Sequence, residues 1–314
     1  MSNEISVIGA GVIDVLAGPT DEHIATRGSS PMDYVKLAYG GDALNEAVAL
    51  SRLGKSVQWI SKVGDDDAGE KILSYAKSNG LDVDCMTIQR GAQSGVTVVL
   101  VDAQGERRFL TNTNSTLRTL EESDILPHVD KMASIVSFAS MFISYRLDVP
   151  TMTRLFKRIK SSGRTLVVDT KQTKRGETLD DVAELLPCMD FFLPNESELA
   201  MLTGGDDVHE NIAALLERGL PCAVVKVGGK GCLIARRDEL IEIPAGPVEK
   251  VIDTTGAGDC FAAGFLWAMS EGWQLAECGR FACAVASLSV EQVGAVTGVT
   301  NLAAVMERYK AYRA

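Results

Sequence analysis

From residue 134 onward, short apolar runs alternate regularly with amphipathic segments that are long enough to form helices. The apolar runs are SIVSFAS, TLVVDT, DFFLP and PCAVVKVG, and the segments between them include VPTMTRLFKRIKSSG and VHENIAALLERGL. Continuously apolar strands suit a sheet covered on both faces, and helical crossovers join parallel strands. The alternation therefore predicts an α/β fold, with a central, mostly parallel sheet flanked by helices. From Ala257 to Tyr312 the pattern is mostly helical.

The N-terminal third contains β-rich segments that do not fit this alternation. ISVIGAG is typical of a first buried strand, and ALNEAVALSRLG of a helix that stops at Gly54. A polar, β-rich insert lies around 15–39 and 94–112 and includes SGVTVVLVD and ERRFLTN. We interpret this insert as a small β lid over the sheet of a single domain spanning 1–314. The alternative is an ordinary extension of the sheet's edge.

Composition excludes several classes of protein. The chain is 46% hydrophobic, and its 42 acidic against 31 basic residues give a net charge of −11, with no basic cluster. Nucleic acid and anionic membranes are therefore poor candidate partners. The cysteines form no CxxC pair, and we see neither a signal peptide nor an apolar stretch of about 18 residues. We expect a reduced, soluble, cytoplasmic protein without a structural zinc site.

The stretch DTTGAGDCF, residues 253–261, is the strongest candidate for a ligand-binding loop. KVID, residues 250–253, is predicted to end a strand, and a helix is predicted to begin at AGDCFAAGFLWAM. Glycines at a helix N-terminus let unpaired amides approach a phosphate closely. Asp259 in the first turn can accept a proton from an attacking hydroxyl group. The alternative is that Asp253 or Asp259 only caps the helix.

Three other segments strengthen the interpretation of the glycine loop as a ligand-binding site. In GGDALN, residues 40–45, a glycine pair opens a helix and places Asn45 one turn inside it. In PNESE, residues 194–198, Asn195 and Glu198 lie one turn apart after a strand, which a capping motif would also explain. KVGGKG, residues 226–231, connects two predicted strands and is otherwise a hairpin turn.

In this order, these segments resemble the ribokinase-like (PfkB) family of carbohydrate kinases over nearly the whole chain. The two signature regions are GGDALNEAVALSRLG (40–54) and DTTGAGDCFAAGF (253–265), and together they are specific. The chain is most similar to a poorly characterised bacterial sugar-kinase subgroup with GGDAxNEA and SRLG in the first signature. The resemblance implies an α/β domain with a β-sheet lid that often builds a homodimer.

The resemblance also implies a reaction and the residues that perform it. The γ-phosphoryl group of ATP would pass to a hydroxyl group of a small-molecule sugar, with Mg²⁺ present. The implied catalytic groups are the base Asp259 and an anion hole formed by the amides of Gly256, Ala257 and Gly258. The implied sugar-binding residues are Asp14, Gly40, Gly41 and Asn45, with the lid residue Arg107. The implied nucleotide-binding residues are Lys226, Gly228 and Gly231, with Asn195 and Glu198 organising phosphates and Mg²⁺ through water.

Relatives often bind K⁺ near the anion hole, and Asp253, Thr255, Ser289 and Gly294 fall in corresponding places. Two positions depart from the family pattern. Cys283 stands where relatives often carry Asn or His near the adenine, so the base preference is open. Asp169-Thr170-Lys171 replaces the more common Asp-x-Asn, and Lys171 is either a surface lysine or a partner for an anionic group of the nucleotide or substrate.

Other classes of function compete with a sugar kinase. A Rossmann oxidoreductase is disfavoured because GAGVID lacks the third glycine of GxGxxG and no helical pattern follows it. A non-catalytic sugar or nucleotide sensor would not need the acid Asp259. A nucleoside kinase of the same family stays open, but no aromatic pair near Asp14 and Asn45 suggests base stacking. We predict a monosaccharide or sugar acid that is phosphorylated on a primary hydroxyl group.

Overall fold

The computed structural model describes residues 3–173 and 175–313, and its strands form where the apolar runs occur. In chain order the strands are Ile5–Ile8 (β1), Val12–Thr20 (β2), Tyr34–Gly40 (β3), Val57–Ile60 (β4), Lys62–Gly64 (β5), Thr87–Gln89 (β6), Val96–Asp102 (β7), Arg107–Thr111 (β8), Ile135–Met141 (β9), Thr165–Thr170 (β10), Phe191–Phe192 (β11), Ala223–Lys226 (β12), Cys232–Arg236 (β13) and Glu239–Ile243 (β14).

The helices follow the amphipathic segments, and local signals set several of their ends. The Asp66 and Asp148 side chains cap the second and fourth helices by accepting backbone N–H groups, and the first ends just before Gly54, at φ +88°. In chain order the helices are Asp42–Arg52 (α1), Asp67–Ser78 (α2), Glu122–Ile125 (α3), Val149–Ser161 (α4), Glu196–Thr203 (α5), Val208–Glu217 (α6), Ala257–Ser270 (α7), Leu275–Ser289 (α8) and Leu302–Arg313 (α9).

In the described residues, eight strands form the central sheet in the order β14-β13-β12-β11-β10-β9-β1-β4. The strands from β12 to β4 pair in parallel, whereas β13 and β14 form an antiparallel edge. The prediction of a strand end at KVID is wrong. Residues 244–256 form an irregular connection, in which the N–H groups of Ile252 and Asp253 donate to the Val290 carbonyl oxygen instead of a strand.

Apolar side chains on the two faces of this sheet build two separate cores. On β10, Val167 belongs to the core beneath α1, α7 and α8, whereas Leu166 and Val168 belong to the core beneath α4, α5 and α6. Every second residue of a strand points to the same face, so one apolar run supplies both cores. This explains why the strands are continuously apolar. None of the helices in the described ranges is both long and apolar enough to cross a bilayer.

A second, four-stranded sheet is separate from the central one, with the order β3-β2-β7-β8. We call it the small sheet; it is the β-rich insert that the sequence predicts outside the central sheet. Its register places Asp14, Thr97 and Thr111 in one row, and Arg107 lies on the same face because it is four residues from Thr111. The opposite face carries Leu37 and Leu110.

Candidate active site

The glycine loop leads into α7, whose N-terminus lies at the carboxyl end of the central sheet. Gly256 precedes the helix with φ +72°, and a Cβ atom there would lie 2.5 Å from the Ala295 carbonyl oxygen, so the position requires glycine. No side chain caps the helix, which excludes the capping role considered for Asp253 and Asp259. The amides of Gly256, Ala257 and Gly258 therefore lie at a helix terminus without a side-chain cap.

Asp259 lies in the first turn of α7, is only 6% exposed and is held by residues from two distant segments. Asn45 Nδ2, one turn into α1, donates a hydrogen bond of 2.8 Å to Asp259 Oδ2. Lys171 Nζ, just past β10, lies 3.8 Å from Asp259 Oδ1. From the sequence, Asp259 is the candidate base, Asn45 a candidate substrate-binding residue and Lys171 a candidate nucleotide-binding residue. The fold brings all three together.

Two lysines and two further acids extend this cluster. Lys171 Nζ lies 3.2 Å from Asp42 Oδ1, and Lys226 Nζ lies 2.6 Å from Asp169 Oδ2. A Cβ atom on Gly258 would lie 3.5 Å from Lys226 Nζ, so this ammonium group is next to the helix N-terminus. The neighbouring charge of Asp42 is the main reason that the pKa of Lys171 is held well above its ordinary value. The Lys171 side chain is 37% exposed, and its ammonium group lies beside two carboxylates.

Sequence analysis missed three acids of this cluster: Asp42, Glu46 and Asp169. Burial raises the pKa of Asp42 to about 6, against the opposing effect of Lys171. Burial also raises the pKa values of Asp169 and Glu46, and Glu46 is 1% exposed with no hydrogen-bond partner at Oε1. Glu46 stands in the apolar stripe of α1, an unusual place for an acid, and this signal in the sequence could have identified it.

The candidate sugar-binding residues meet where β2, β3 and the start of α1 converge. A Cβ atom on Gly40 would lie 2.3 Å from Asp14 Oδ2, and one on Gly41, at φ +97°, would lie 2.6 Å from the Ala10 carbonyl oxygen. Gly41 is therefore required by the backbone, and a side chain at Gly40 would displace the Asp14 carboxylate. Burial raises the pKa of Asp14 to about 6, although the charge of Arg107 opposes this shift. Asp14 is also electrostatically coupled to Asp42, which links this group to the Asp259 cluster.

Arg107 crosses from the small sheet to the glycine loop. Its Nη2 lies 2.8 Å from Asp253 Oδ1, which also accepts the Thr255 N–H, while Asp253 Oδ2 accepts the Gly294 N–H. Burial favours the neutral acid, but the backbone N–H groups of Gly294 and Thr255 outweigh burial and lower the pKa of Asp253 to about 2. Asp253, Thr255 and Gly294 are thus brought together. Ser289 is the last residue of α8, and the carbonyl oxygen of the next residue, Val290, accepts the Asp253 N–H.

The remaining candidate nucleotide residues follow β11 and β12. Asn195 and Glu198 form a reciprocal capping box at the start of α5, so the capping interpretation is correct. Asn195 also pairs with Lys226 in an isolated β-bridge. Gly228 and Gly231 lie in the hairpin between β12 and β13. The Cys283 thiol is buried, 3.9 Å from the Cys232 sulfur.

Comparisons with known proteins agree with this geometry. A family model for the pfkB family carbohydrate kinases matches residues 2–302. An uncharacterized sugar kinase of Archaeoglobus fulgidus is 32% identical over 255 residues, which are 80% of this chain and 98% of that protein. A nucleoside kinase of Methanothermobacter thermautotrophicus is 28% identical over 291 residues, 93% of this chain and 91% of the relative.

The fold has a matching solved structure. Arabidopsis thaliana ribokinase complexed with ribose and ATP has a TM-score of 0.82 and 26% identity, and the match covers 99% of each chain. The glycine loop, the buried acid behind it and the separate small sheet lie within a family match that spans almost the whole sequence. The chain therefore belongs to the pfkB family of carbohydrate kinases and is a phosphotransferase that acts on a sugar.

Proposed function

We propose that this kinase transfers the γ-phosphoryl group of ATP to a primary hydroxyl group of a monosaccharide or sugar acid, with Asp259 as general base. The observation that carries the proposal is the position of Asp259. It is 6% exposed, lies directly behind a glycine-lined helix N-terminus and is oriented by Asn45 at 2.8 Å. The Ala257 N–H makes a long hydrogen bond of 3.3 Å to the Thr254 carbonyl oxygen, and the N-cap residue Gly256 provides no side-chain cap. A carboxylate held in one orientation beside such a helix N-terminus suits proton abstraction coupled to phosphoryl transfer.

In the proposed reaction the sugar hydroxyl group donates a hydrogen bond to Asp259. Asp259 takes the proton as the hydroxyl oxygen attacks the γ-phosphorus and the bond to the ADP oxygen breaks. The amides of Gly256, Ala257 and Gly258 donate to the phosphoryl oxygens, where negative charge accumulates, and the positive end of α7 adds to this effect. Asp14, Asn45 and the backbone at Gly40 and Gly41 hold the other hydroxyl groups of the sugar.

ATP would lie on the side of the cluster where β12 ends. Lys226 Nζ is next to the N-terminus of α7, and the backbones of Lys226 and Asn195 pair in a β-bridge, which places both residues beside the proposed phosphate position. Gly228 and Gly231 follow in the adjoining hairpin and offer backbone without side chains. Lys171 lies between the sugar side and the phosphate side, beside Asp42 and Asp259. Its positive charge can interact with the phosphoryl group during the transfer.

Glu198 is the residue that we propose to position Mg²⁺ through water. One of its oxygens, Oε2, accepts the Asn195 N–H, and its charge acts on both Asp169 and Lys171. No cluster of three or more metal-binding side chains occurs among residues 3–173 and 175–313. A single carboxylate with several waters is nevertheless how proteins often hold Mg²⁺. When bound, the ion neutralises charge on the nucleotide phosphates.

Glu198→Gln is expected to raise the Mg²⁺ concentration that gives half-maximal activity. Glutamine retains the side-chain oxygen that can accept the Asn195 N–H, but it removes the negative charge that attracts the hydrated ion. The measurement is a Mg²⁺ titration at fixed ATP, with Glu196→Gln as the matched control because it is in the same helix turn and exposed. Superimposable titrations for Glu198→Gln and wild type would contradict the metal role.

The candidate K⁺ residues have contacts that do not fit a cation at Asp253. Asp253 already accepts two backbone N–H groups and the Arg107 guanidinium, and Gly294 presents an N–H to it instead of a carbonyl oxygen. We derive no step through K⁺ at this position. An assay with and without K⁺ tests this conclusion, and a requirement for K⁺ would contradict it.

The substrate proposal favours a sugar over a nucleoside because the site offers groups suited to hydroxyls. Asp14, Asn45 and the glycine backbone supply donors and acceptors for neighbouring hydroxyl groups, and unpaired buried groups penalise analogues that lack them. The test is kcat/KM for ketohexoses, pentoses, keto-deoxy sugar acids and nucleosides under one ATP–Mg²⁺ condition. A nucleoside used as well as the best sugar would overturn the substrate class and leave phosphotransfer intact.

We further propose that the small sheet closes as a lid over the sugar, within one kinase domain, and builds a homodimer. Its face opposite Asp14 is apolar and open, with Val35, Leu37 and Leu110 exposed by 66%, 64% and 57%. These side chains lie on β3 and β8, the two edges of the sheet, so a second copy could cover the whole face. A sedimentation mass equal to one chain would contradict the dimer.

A further inference from the structure

The ammonium group of Lys171 lies between the carboxylates of Asp42 and Asp259. It is closer to Asp42, which has no role assigned from the sequence. The distance from Nζ to Asp42 Oδ1 is 3.2 Å, and that from Nζ to Asp259 Oδ1 is 3.8 Å. The other oxygen of Asp259 is already bonded to Asn45. Helix α1 therefore supplies both Asn45, which orients the base, and Asp42, which competes with the base for the lysine.

A direct ion pair would make Asp259 a weaker proton acceptor. An ammonium group in contact with a carboxylate stabilises its charged form, and this attraction is large where water is largely excluded. The Asp259 side chain is 7% exposed, the Asp42 side chain 20% and the Lys171 side chain 37%, so solvent screens these charges in part. The position of Lys171 thus affects whether Asp259 can accept the substrate's proton.

We propose that Asp42 is a positioning residue that draws Lys171 away from Asp259 and so keeps the base free. This inference rests on the proposed role of Asp259. It makes Asp42 and Lys171 a pair whose effects on turnover depend on each other. It also gives Asp42, the first residue of α1, a role beyond the favourable interaction of an acid with a helix N-terminus. That interaction alone needs no lysine partner.

The other charged groups around the pair do not offer Lys171 an equivalent partner. Asp169 is already bonded to Lys226 at 2.6 Å, and Glu198 accepts the Asn195 N–H. Burial raises the pKa of Glu46 well above its ordinary value, which favours its neutral form. The charged or titratable side chains that face Asp42, Lys171 and Asp259 from the surrounding elements are Asp14, Glu46, Arg107, Asp169, Glu198 and Lys226.

The competition depends on pH because Asp42 must be ionised to hold the lysine. Burial raises the pKa of Asp42 to about 6, although Lys171 opposes the shift. Above that pH Asp42 is charged and shares Lys171. As the pH falls through about 6, Asp42 becomes neutral, and Lys171 is left to pair with Asp259. Turnover is therefore expected to fall over this range.

The test compares kcat at saturating ATP and sugar for Asp42→Asn, Asp42→Glu, Lys171→Met and the double variant Asp42→Asn/Lys171→Met. Asp42→Asn should lower kcat about tenfold or more, a part of the 10²–10⁴ that a positioned base contributes. Asp42→Glu, which restores the charge, should recover turnover. In the double variant kcat should rise above that of Asp42→Asn, because the lysine that captures the base is gone. Asp67→Asn is the matched control, an exposed acid in the first turn of α2.

The pH profile separates this role from a structural one. At saturating sugar, which removes the effect of Asp14 on substrate binding, wild-type kcat should fall with a midpoint near pH 6, and Asp42→Asn should be flat through that range at the lower value. Wild-type turnover in Asp42→Asn would overturn the inference, and so would a double variant no faster than Asp42→Asn where Lys171→Met alone is active. If Lys171→Met abolishes turnover, the pH dependence of kcat in Asp42→Asn is the test. A fall in kcat near pH 6 in Asp42→Asn like that of wild type would overturn the inference. Full turnover in Asp259→Asn would instead reject the proposed base.

Discussion

Replacing Asp259 with Asn is expected to lower kcat by about 10²–10⁴ without unfolding the protein, the range typical for the loss of a positioned base. Asparagine has the same shape, and its oxygen can still accept the hydrogen bond from Asn45. It cannot take the hydroxyl proton. Because the amides at the start of α7 stay in place, ATP and sugar should still bind, and the KM values should change much less than kcat.

The measurement is steady-state kinetics with the best sugar of the panel, together with a thermal melt of each variant. Asp67→Asn again serves as the control, since it removes an acid from the first turn of a helix away from the loop. The expected result is a large loss of kcat with a melting temperature close to wild type. Near-wild-type kcat in Asp259→Asn, with any responsive sugar, would show that another group or the solvent takes the proton.

Replacing Arg107 with Ala is expected to raise the KM for sugar about 10- to 100-fold, whereas Arg108→Ala should have little effect. The two arginines are neighbours on β8, so they point to opposite faces of the small sheet. Arg107 reaches Asp253, whose side chain is 6% exposed, at 2.8 Å. A charge-assisted hydrogen bond of this kind contributes about 1.5–3 kcal/mol, which corresponds to that range of affinity.

We expect this loss because Arg107 joins the small sheet to the glycine loop, and the sheet is proposed to close over the sugar. The ion pair should persist across ordinary assay conditions. Asp253 has a pKa lowered to about 2, so its charge is complete above its ordinary value near 4 and is lost only as the pH falls toward 2. The R107A effect on sugar KM should therefore be independent of pH between about 6 and 9. Equal, small effects of both substitutions would mean that neither arginine links the two sheets.

Much of the fold and part of the site follow from local patterns in the sequence. The alternation after residue 134 predicts the parallel sheet, because strands buried on both faces must be apolar throughout. The glycines at 256 and 258 with Asp259, and Gly40 and Gly41 with Asn45, stand out as glycine pairs at predicted helix starts, and the backbone at Gly41 and Gly256 adopts a positive φ that favours glycine. The strand predicted at KVID does not form. Val251 and Ile252 are residue types common in strands, but they are exposed in an irregular connection.

Only the tertiary structure decided which charges meet. Asp42 and Asp169 look like ordinary acids in the sequence, and nothing local pairs Lys171 with Asp42 or Arg107 with Asp253 across 146 positions. Ion pairs act over a few ångströms, and burial changes both their strength and the protonation of their members. These quantities depend on how α1, β8, β10 and α7 converge at one edge of the sheet. The sequence alone thus determined the sheet and the glycine loop, and folding determined the charge network that surrounds Asp259.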